Sequence, residues 1–263
     1  MRALIILATV LVAWLGCLAS ATAGSQLPRA VLSIAAASDL QTVMPTLVSR
    51  FERDVAIATT VSFGSSGNFF AQIQNGAPFD VFFSADMDYP RRLVGSGRAE
   101  RDTLIEYATG HLVVWTRADS GLDVRVGLRI VSDERVRRIA IANPQFAPYG
   151  RAAVAALQHE QLYDKVKGKL VLGENIAQAA QFAQTGNAQI GIVSLSLARG
   201  PALEGGRYEE IPAAFHPPIQ QGAVVLKASK DKTAARQLIY YVRQREIATL
   251  LESFGFGPPT PSR

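Results

Sequence analysis

Short apolar segments typical of strands alternate with amphipathic helices from residue 31 onward. Val31–Ala37 has the length and composition of a buried strand, and the apolar residues between Leu40 and Phe51 recur at helical spacing, which predicts a helix from Asp39 onward. The same reading predicts strands at Val55–Phe63, Asp80–Ala85, His111–Thr116, Ile139–Ala142, Gln189–Val193 and Ala223–Lys227. It predicts helices at Asn68–Asn75, Arg151–His159, Ala177–Gln184 and Thr233–Val242. This alternation predicts an α/β protein with largely parallel sheets.

The composition excludes several classes of protein. With 48% hydrophobic and 19% charged residues in 263, the chain is neither disordered nor a coiled coil. Its 27 basic residues are scattered among 22 acidic ones, and Arg135–Arg138 is the single short basic stretch, so we expect no nucleic-acid partner. The lone cysteine, Cys17, and the widely separated His111, His159 and His216 favour neither a disulfide framework nor a metal site.

The N-terminus has the pattern of an export signal. Arg2 is followed by the apolar stretch Ala3–Trp14 and by small residues that end in Ala21-Thr22-Ala23. This pattern predicts a signal peptide over residues 1–23, cleaved after Ala23. Two alternatives are lipid attachment at Cys17 and retention of the stretch as a membrane anchor.

The sequence lacks a complete catalytic motif. Gly64–Gly67 suggests a nucleophile elbow, but Asn68 stands where the motif requires glycine, and no Lys-Ser/Thr follows to make a phosphate-binding loop. Three carboxylates, Asp80, Asp86 and Asp88, fit turns and caps around a strand end better than an acid–base set. We therefore expect no enzyme and no catalytic residues.

A different pattern occurs four times: a strand end, then small or polar residues, then a helix. Helix N-termini present unpaired N–H groups and a partial positive charge, so they bind anions without Lys or Arg. In parallel α/β sheets, such turns lie at the carboxyl ends of the strands, where ligands bind. The pattern predicts an anion site if the fold brings the turns together. The turns are at Ser38-Asp39, Ser65-Ser66-Gly67, Asn143–Gly150 and Gly173–Ile176.

These turns belong to longer runs that resemble the signatures of the periplasmic molybdate-binding proteins of ABC transporters. The resemblance extends over about residues 30–257, with the signatures in the order that the family has. The matching runs are Ala35–Leu40, Phe63–Gly67, Gln72–Asp86, Asn143–Gly150, Glu174–Ala179, Gly191–Val193 and Phe254–Phe256.

The resemblance implies a two-lobed, type II periplasmic binding fold: α/β, with mostly parallel sheets, flanking helices and a ligand cleft between the lobes. The chain is expected to cross between lobes near Tyr107–Val113 and His216–Val224. Lobe I then comprises residues 24–110 and 217–263, and lobe II comprises residues 111–216. The implied function is periplasmic binding of molybdate or tungstate, without a cofactor, by a monomer that delivers the anion to the permease subunits of an ABC transporter.

The resemblance also implies a set of ligand-binding residues. Ser38 and Ser66 are expected to donate hydroxyl and backbone N–H bonds from lobe I, while Tyr149 and Ile176 donate backbone N–H bonds from lobe II. Asp39 stands where related chains can have asparagine. Because its ionised carboxylate would repel a dianion, we expect the carboxylate to turn away and cap the helix that begins at Leu40, leaving its N–H available. Whether the Tyr149 hydroxyl or Ser194 also contacts the anion stays open.

The sequence also allows two other functions. Sulfate is smaller than molybdate, and each donor that it leaves unpaired would cost about 1–3 kcal/mol. Hydrogen phosphate would need an acceptor, which the Asp39 carboxylate could supply. A solute-binding protein for such an anion is therefore one alternative. An exported hydrolase that uses Ser66 is another, and it would require a histidine beside that serine.

Overall fold

The computed structural model describes residues 31–260, so the predicted signal peptide lies outside the described residues. Within this range the chain forms ten strands and nine α-helices, with short 3₁₀ helices between them. The strands are β1 (Val31–Ala37), β2 (Ala58–Gly64), β3 (Val81–Ser84), β4 (Ile105–Gly110), β5 (Leu112–Thr116), β6 (Ile139–Ala142), β7 (Leu170–Gly173), β8 (Ile190–Ser194), β9 (Arg207–Glu210) and β10 (Ile219–Val225).

The helices flank the strands in the expected alternation. None of those in residues 31–260 is both long and apolar enough to cross a membrane. The helices are α1 (Met44–Val55), α2 (Ser66–Gln74), α3 (Asp88–Gly95), α4 (Pro148–His159), α5 (Tyr163–Val166), α6 (Ile176–Gln184), α7 (Leu195–Ala198), α8 (Lys232–Val242) and α9 (Arg245–Ser253). The 3₁₀ helices are Ser38–Gln41, Arg101–Thr103, Ala118–Ser120, Val124–Ser132, Lys167–Lys169, Pro201–Leu203 and Ala213–Phe215.

The strands form two five-stranded sheets, which confirms the two-lobed α/β fold. The first sheet has the order β2-β1-β3-β10-β4 and the second has the order β7-β6-β8-β5-β9. The chain passes from the first sheet to the second between β4 and β5, and it returns between β9 and β10. The second sheet is therefore built from the consecutive strands β5–β9, whereas the first combines β1–β4 with β10 from near the end of the chain.

Both sheets are mixed, so the expectation of mostly parallel sheets is wrong. In the first sheet, β1 pairs in parallel with β2 and β3, whereas β10 is antiparallel to β3 and β4. The second sheet repeats this arrangement, with β6 parallel to β7 and β8 and with β5 antiparallel to β8 and β9. Strand–helix alternation predicts the parallel β–α–β units. It does not reveal the direction of β5 and β10, which enter each sheet from the other one.

The first sheet is buried on both faces, because successive strand residues point to opposite sides. Ile34 and Ala36 of β1 pack on one face in a cluster with Phe51 of α1, whereas the intervening Ala35 packs on the other face with Phe69 of α2. A separate cluster, which includes Val113 of β5, fills the second half of the molecule. Two independently packed sheets give the cleft between them rigid walls.

Several element boundaries differ from those predicted. The helix expected from Asp39 is divided into the 3₁₀ helix Ser38–Gln41 and α1. The strand expected from Val55 begins at Ala58, because α1 runs to Val55 and ends at Ala56 with a left-handed conformation (φ 60°). Strand β9 lies at the edge of its sheet and is mostly exposed, so it lacks the apolar pattern from which strands are predicted.

Candidate functional site

The four strand-to-helix turns meet at one small cavity between the two sheets. All five predicted ligand-binding residues line this cavity, so the fold brings together residues that lie up to 138 positions apart. The lining residues are Ala37, Ser38, Asp39, Gly64, Ser65, Ser66, Ala85, Ala147, Pro148, Tyr149 and Ile176.

The size of the cavity restricts what it can hold. Its volume is about 10 Å³. Clefts that hold drug-sized molecules are much larger, roughly 300–1,000 Å³. An open groove of about 490 Å³ also lies near α6, lined by Gln41, Gln178 and Gln181, but it does not include the turns of Ser66 and Tyr149. The small cavity is therefore the better candidate site, because the turns converge on it, and it is too small for a drug-sized molecule.

Two serine hydroxyls in the cavity are held in place by backbone N–H groups. Ala85 N donates to Ser66 Oγ at 2.9 Å, and Ala177 N donates to Ser38 Oγ at 3.4 Å. Because each oxygen already accepts a hydrogen bond, its own O–H remains available as a donor. Ser65 has a different role, since its Oγ accepts from Asn68 N and caps α2. Of the two adjacent serines, Ser66 thus offers a donor to the cavity and Ser65 caps a helix.

Helix N-termini supply the backbone donors. Helix α2 begins at Ser66, α6 begins at Ile176 and the 3₁₀ helix begins at Ser38. The N–H groups of a first helical turn have no partner within the helix, and the helix dipole favours an anion there. Helix α4 begins at Pro148, which has no N–H, so Tyr149 carries the first backbone donor of that helix. Ile176 can contribute only its N–H, because its side chain is apolar.

Asp39 is the one carboxylate that lines the cavity, and it is fully buried. Gln221 Nε2 donates to its Oδ2 at 3.0 Å, whereas Oδ1 has no hydrogen-bond partner within residues 31–260. Burial raises the pKa of Asp39 to about 7, although the nearby Tyr149 hydroxyl and the Gln221 amide favour the ionised form. Of these two groups, only Gln221 meets the geometry of a hydrogen bond to the carboxylate.

The expectation that the Asp39 carboxylate caps a helix is wrong. The 3₁₀ helix begins one residue earlier, at Ser38, and its start has no side-chain cap. Asp39 therefore lies inside the first turn, and its side chain extends to Gln221 on β10 instead.

Three residues around Asp39 were not predicted from the sequence. Tyr107 Oη donates to Gln221 Oε1 at 3.2 Å, and Gln221 Nε2 lies 3.4 Å from the Tyr149 hydroxyl. Gly110 makes room for that hydroxyl, because a Cβ at this position would overlap it. Burial raises the pKa of both tyrosines well above the usual value, so they stay neutral. A buried glutamine within the apolar strand β10 is the one signal that could have revealed this cluster.

Ser194 does not line the cavity. Its Oγ accepts from Leu197 N at 3.3 Å and so caps α7, and it lies 3.0 Å from Ser196 Oγ. Ser196 in turn donates to the backbone oxygen of Asp39 at 2.8 Å. Ser194 therefore lies outside the cavity and contacts Ser196, which in turn bonds the cavity residue Asp39.

The two halves of the molecule are closed over the cavity. Gly67 N donates to Phe146 O at 2.8 Å, and Asn68 Nδ2 donates to Glu174 Oε1 at 3.0 Å. A third link is the ion pair of Arg151 with Asp86. Together with Ser38–Ala177 and Ser196–Asp39, these contacts connect residues around the first sheet to residues around the second on several sides of the cavity.

The geometry does not support a serine hydrolase. The hydroxyl of Ser66 is paired with Ala85 N, and none of the three histidines of the chain lines the cavity. Across residues 31–260, no group of three or more His, Cys, Asp or Glu side chains is placed to hold a metal ion.

Comparison with known proteins identifies the family. Residues 32–257 match the bacterial extracellular solute-binding proteins. The molybdate-binding protein ModA of Azotobacter vinelandii is 37% identical over 87% of this chain and 90% of that protein. The protein of the same name from Rhodobacter capsulatus is 36% identical over 78% of this chain and 80% of its own length. The solved structure of the Azotobacter vinelandii periplasmic molybdate-binding protein superposes with a TM-score of 0.81 at 32% identity, covering 87% of this chain and all of that one. The chain therefore belongs to the family of bacterial extracellular solute-binding proteins.

Proposed function

We propose that this protein binds molybdate or tungstate outside the cytoplasm and delivers the anion to the permease of an ABC transporter. The observation that carries the proposal is the closed cavity, which is lined by uncharged donors from four strand-to-helix turns. Two relatives that carry the name of molybdate-binding proteins support the choice of anion.

The donors suit a tetrahedral oxyanion. Molybdate only accepts hydrogen bonds at neutral pH, and the hydroxyls of Ser38 and Ser66 can donate to it. The N–H groups of Tyr149 and Ile176 add donors from the other side of the cleft. Neither Lys nor Arg lines the cavity, so hydrogen bonds and helix dipoles replace cationic side chains.

Rigid walls explain how the site would select by size. The donors are anchored to two packed sheets, so they cannot all move close enough to contact a smaller anion. Each donor that sulfate leaves unpaired costs about 1–3 kcal/mol. Two unpaired donors would approach a thousandfold difference in affinity, at about 1.4 kcal/mol for each factor of ten.

The proposal includes the organisation of the protein. Residues 1–23 direct export to the periplasm and are removed. The lobes comprise residues 24–110 with 217–263 and residues 111–216, and the mature chain acts as a monomer. The protein performs no catalysis and needs no cofactor, because binding and release of the anion are sufficient for delivery.

Titration calorimetry of residues 24–263 tests the proposal. We expect one molybdate or tungstate per chain, mutual competition between them, and no binding of sulfate at large excess. Binding should also raise the melting temperature, because the anion binds only the folded chain. Comparable affinity for sulfate or phosphate would instead identify a transporter protein for a different oxyanion.

A further inference from the structure

Asp39 occupies the interface between the two halves of the molecule. Its own 3₁₀ helix and its partner Gln221 belong to the first sheet and its connections. Tyr149 and Ser196, which cover it from α4 and α7, belong to the second half. When the halves separate, Tyr149 and Ser196 move away with the second one, and water can reach the carboxylate. The complete burial of Asp39 therefore depends on closure.

The closed surroundings offer little compensation for a negative charge. Among the described residues, the polar groups that face the carboxylate are the Gln221 amide, the phenols of Tyr149 and Tyr107, which stay neutral, and the backbone N–H groups of Asp39 and Leu40. Within residues 31–260, the main influences on the pKa of Asp39 include no cationic side chain. Its Oδ1 is buried with no hydrogen-bond partner among the residues that the structure describes. An ionised carboxylate here would lose its hydration, and within residues 31–260 Gln221 is the one side chain that donates to it with hydrogen-bond geometry.

An anion in the cavity makes the ionised carboxylate less favourable still. Asp39 lines the same small cavity as Ser38 and Ser66, so the charge of a bound dianion lies close to it. A nearby negative charge and burial both raise the pKa of a carboxyl group. In the open form, where water reaches the carboxylate, its pKa falls back toward the ordinary value near 3.8.

We propose that Asp39 couples anion binding to the uptake of one proton, so that the closed complex contains a neutral carboxylic acid at this position. The inference rests on the proposed function, because the anion must enter this cavity. The proton comes from solvent and is returned when the halves open and the anion leaves. Asp39 is thus a residue that sets the pH dependence of affinity, and acid conditions favour the loaded state.

The sign of the effect follows from the direction of the pKa change. The pKa is higher in the closed complex than in the open form, so protons are taken up at any pH between the two values. In that interval the dissociation constant rises with pH, by up to about tenfold per pH unit for one proton. Above the pKa of the complex, the dissociation constant stops rising, because Asp39 is ionised in both states.

Calorimetry in two buffers tests the inference directly. Wild-type residues 24–263 and the isosteric variant Asp39→Asn are titrated with molybdate near neutral pH in Pipes and in imidazole, whose heats of ionisation differ. The difference in apparent enthalpy between buffers counts the protons exchanged. We expect the wild type to take up about one proton and Asp39→Asn to take up none. We also expect the dissociation constant to rise between about pH 5.5 and 7.5 in the wild type and to stay level in the variant.

The outcomes separate the two proposals. If the wild type binds molybdate without taking up protons, the role of Asp39 is wrong and the proposed function stands. Equal proton uptake by both proteins also overturns the role of Asp39, since another group must then titrate. If the folded wild type binds neither molybdate nor tungstate at any pH, the proposed function fails, and the inference fails with it. Absence of proton uptake by the wild type overturns the inference whether or not Asp39→Asn folds. If that variant does not fold, Asp39→Ser is titrated in its place, because it also lacks the titratable group.

Discussion

Gln221 Nε2 donates to Asp39 Oδ2 at 3.0 Å, and the two residues are 182 positions apart in the sequence. The bond joins β10, the strand on which the chain returns to the first sheet, to the turn that follows β1. Tyr107 donates to Oε1 of the same amide, which determines that its NH₂ group faces Asp39. Hydrogen bonds therefore connect Tyr107 of β4, Gln221 of β10 and Asp39 of the turn after β1. No one of these elements could position the three side chains alone.

Replacing Gln221 by leucine should destabilise the fold and raise the pKa of Asp39 further. The carboxylate would lose its one hydrogen bond, and an unpaired buried polar group costs about 1–3 kcal/mol. Urea unfolding at two pH values measures this cost, which should be larger at pH 8, where more Asp39 is ionised, than at pH 5. The neighbouring Gln220→Leu is the control, because Gln220 bonds Glu106 and not Asp39. Equal losses in both variants would contradict the assigned role of Gln221.

Ser66→Ala should weaken molybdate binding and leave the chain folded, although the buried Ala85 N–H loses its acceptor, which costs about 1–3 kcal/mol of stability. A hydrogen bond to a charged group contributes about 1.5–3 kcal/mol, so we expect a loss of roughly tenfold to a hundredfold in affinity. The control Ser65→Ala should keep its affinity for molybdate, because Ser65 Oγ caps α2, and loss of that cap costs about 1 kcal/mol of stability. Calorimetry and thermal unfolding of both variants measure the two effects. If Ser65→Ala weakened binding and Ser66→Ala did not, the serine that donates to the anion would be Ser65 and not Ser66.

Gly67→Ala should prevent closure while leaving the ligand-free protein stable. A Cβ at residue 67 would lie 2.6 Å from Phe146 O and 2.8 Å from Phe146 Cα, so the halves could not approach fully. The Tyr89 hydroxyl at 2.7 Å belongs to the same half as Gly67 and would have to shift in both states. Alanine is otherwise preferred to glycine within a helix, by about 1 kcal/mol. We expect at least a tenfold loss of molybdate affinity, together with a larger radius of gyration in X-ray scattering at saturating molybdate.

Gly95→Ala is the matched control for Gly67→Ala. It lies in α3, and a Cβ there would meet no atom within 4 Å. It should bind molybdate like the wild type and compact in the same way. Full affinity and full compaction in Gly67→Ala would show that the contact with Phe146 is not needed for closure.

Arg151→Met should shorten the lifetime of the closed complex. Arg151 pairs with Asp86 across the cleft and lies over the Tyr89 ring at 5.5 Å from its centroid. Because the guanidinium is partly exposed, the pair should contribute no more than about 1 kcal/mol, or roughly a fivefold change in affinity. Stopped-flow dissociation should become faster and less sensitive to salt.

Arg135→Met provides the comparison for Arg151→Met. Arg135 forms a similar exposed pair with Asp133, but both residues lie in the second half of the chain, away from the cleft. Its dissociation rate should match that of the wild type. If both variants release molybdate equally fast, the effect comes from net charge and not from the ion pair across the cleft.

The sequence alone was sufficient for much of what depends on neighbouring residues, although it misplaced the starts of α1 and β2. It predicted β1 and β6 with the bounds that the structure has, and it predicted that Ser65 belongs to a turn beside Ser66. It also predicted the turns whose residues line the cavity, because hydrophobic periodicity and helix caps act over a few residues.

The tertiary structure decided the rest. The directions of β5 and β10 depend on passage between the sheets, and the environment of Asp39 depends on Tyr107, Tyr149 and Gln221, which come from three distant elements. The pKa of Asp39 follows from that packing, since burial is a property of the closed fold and not of the local sequence.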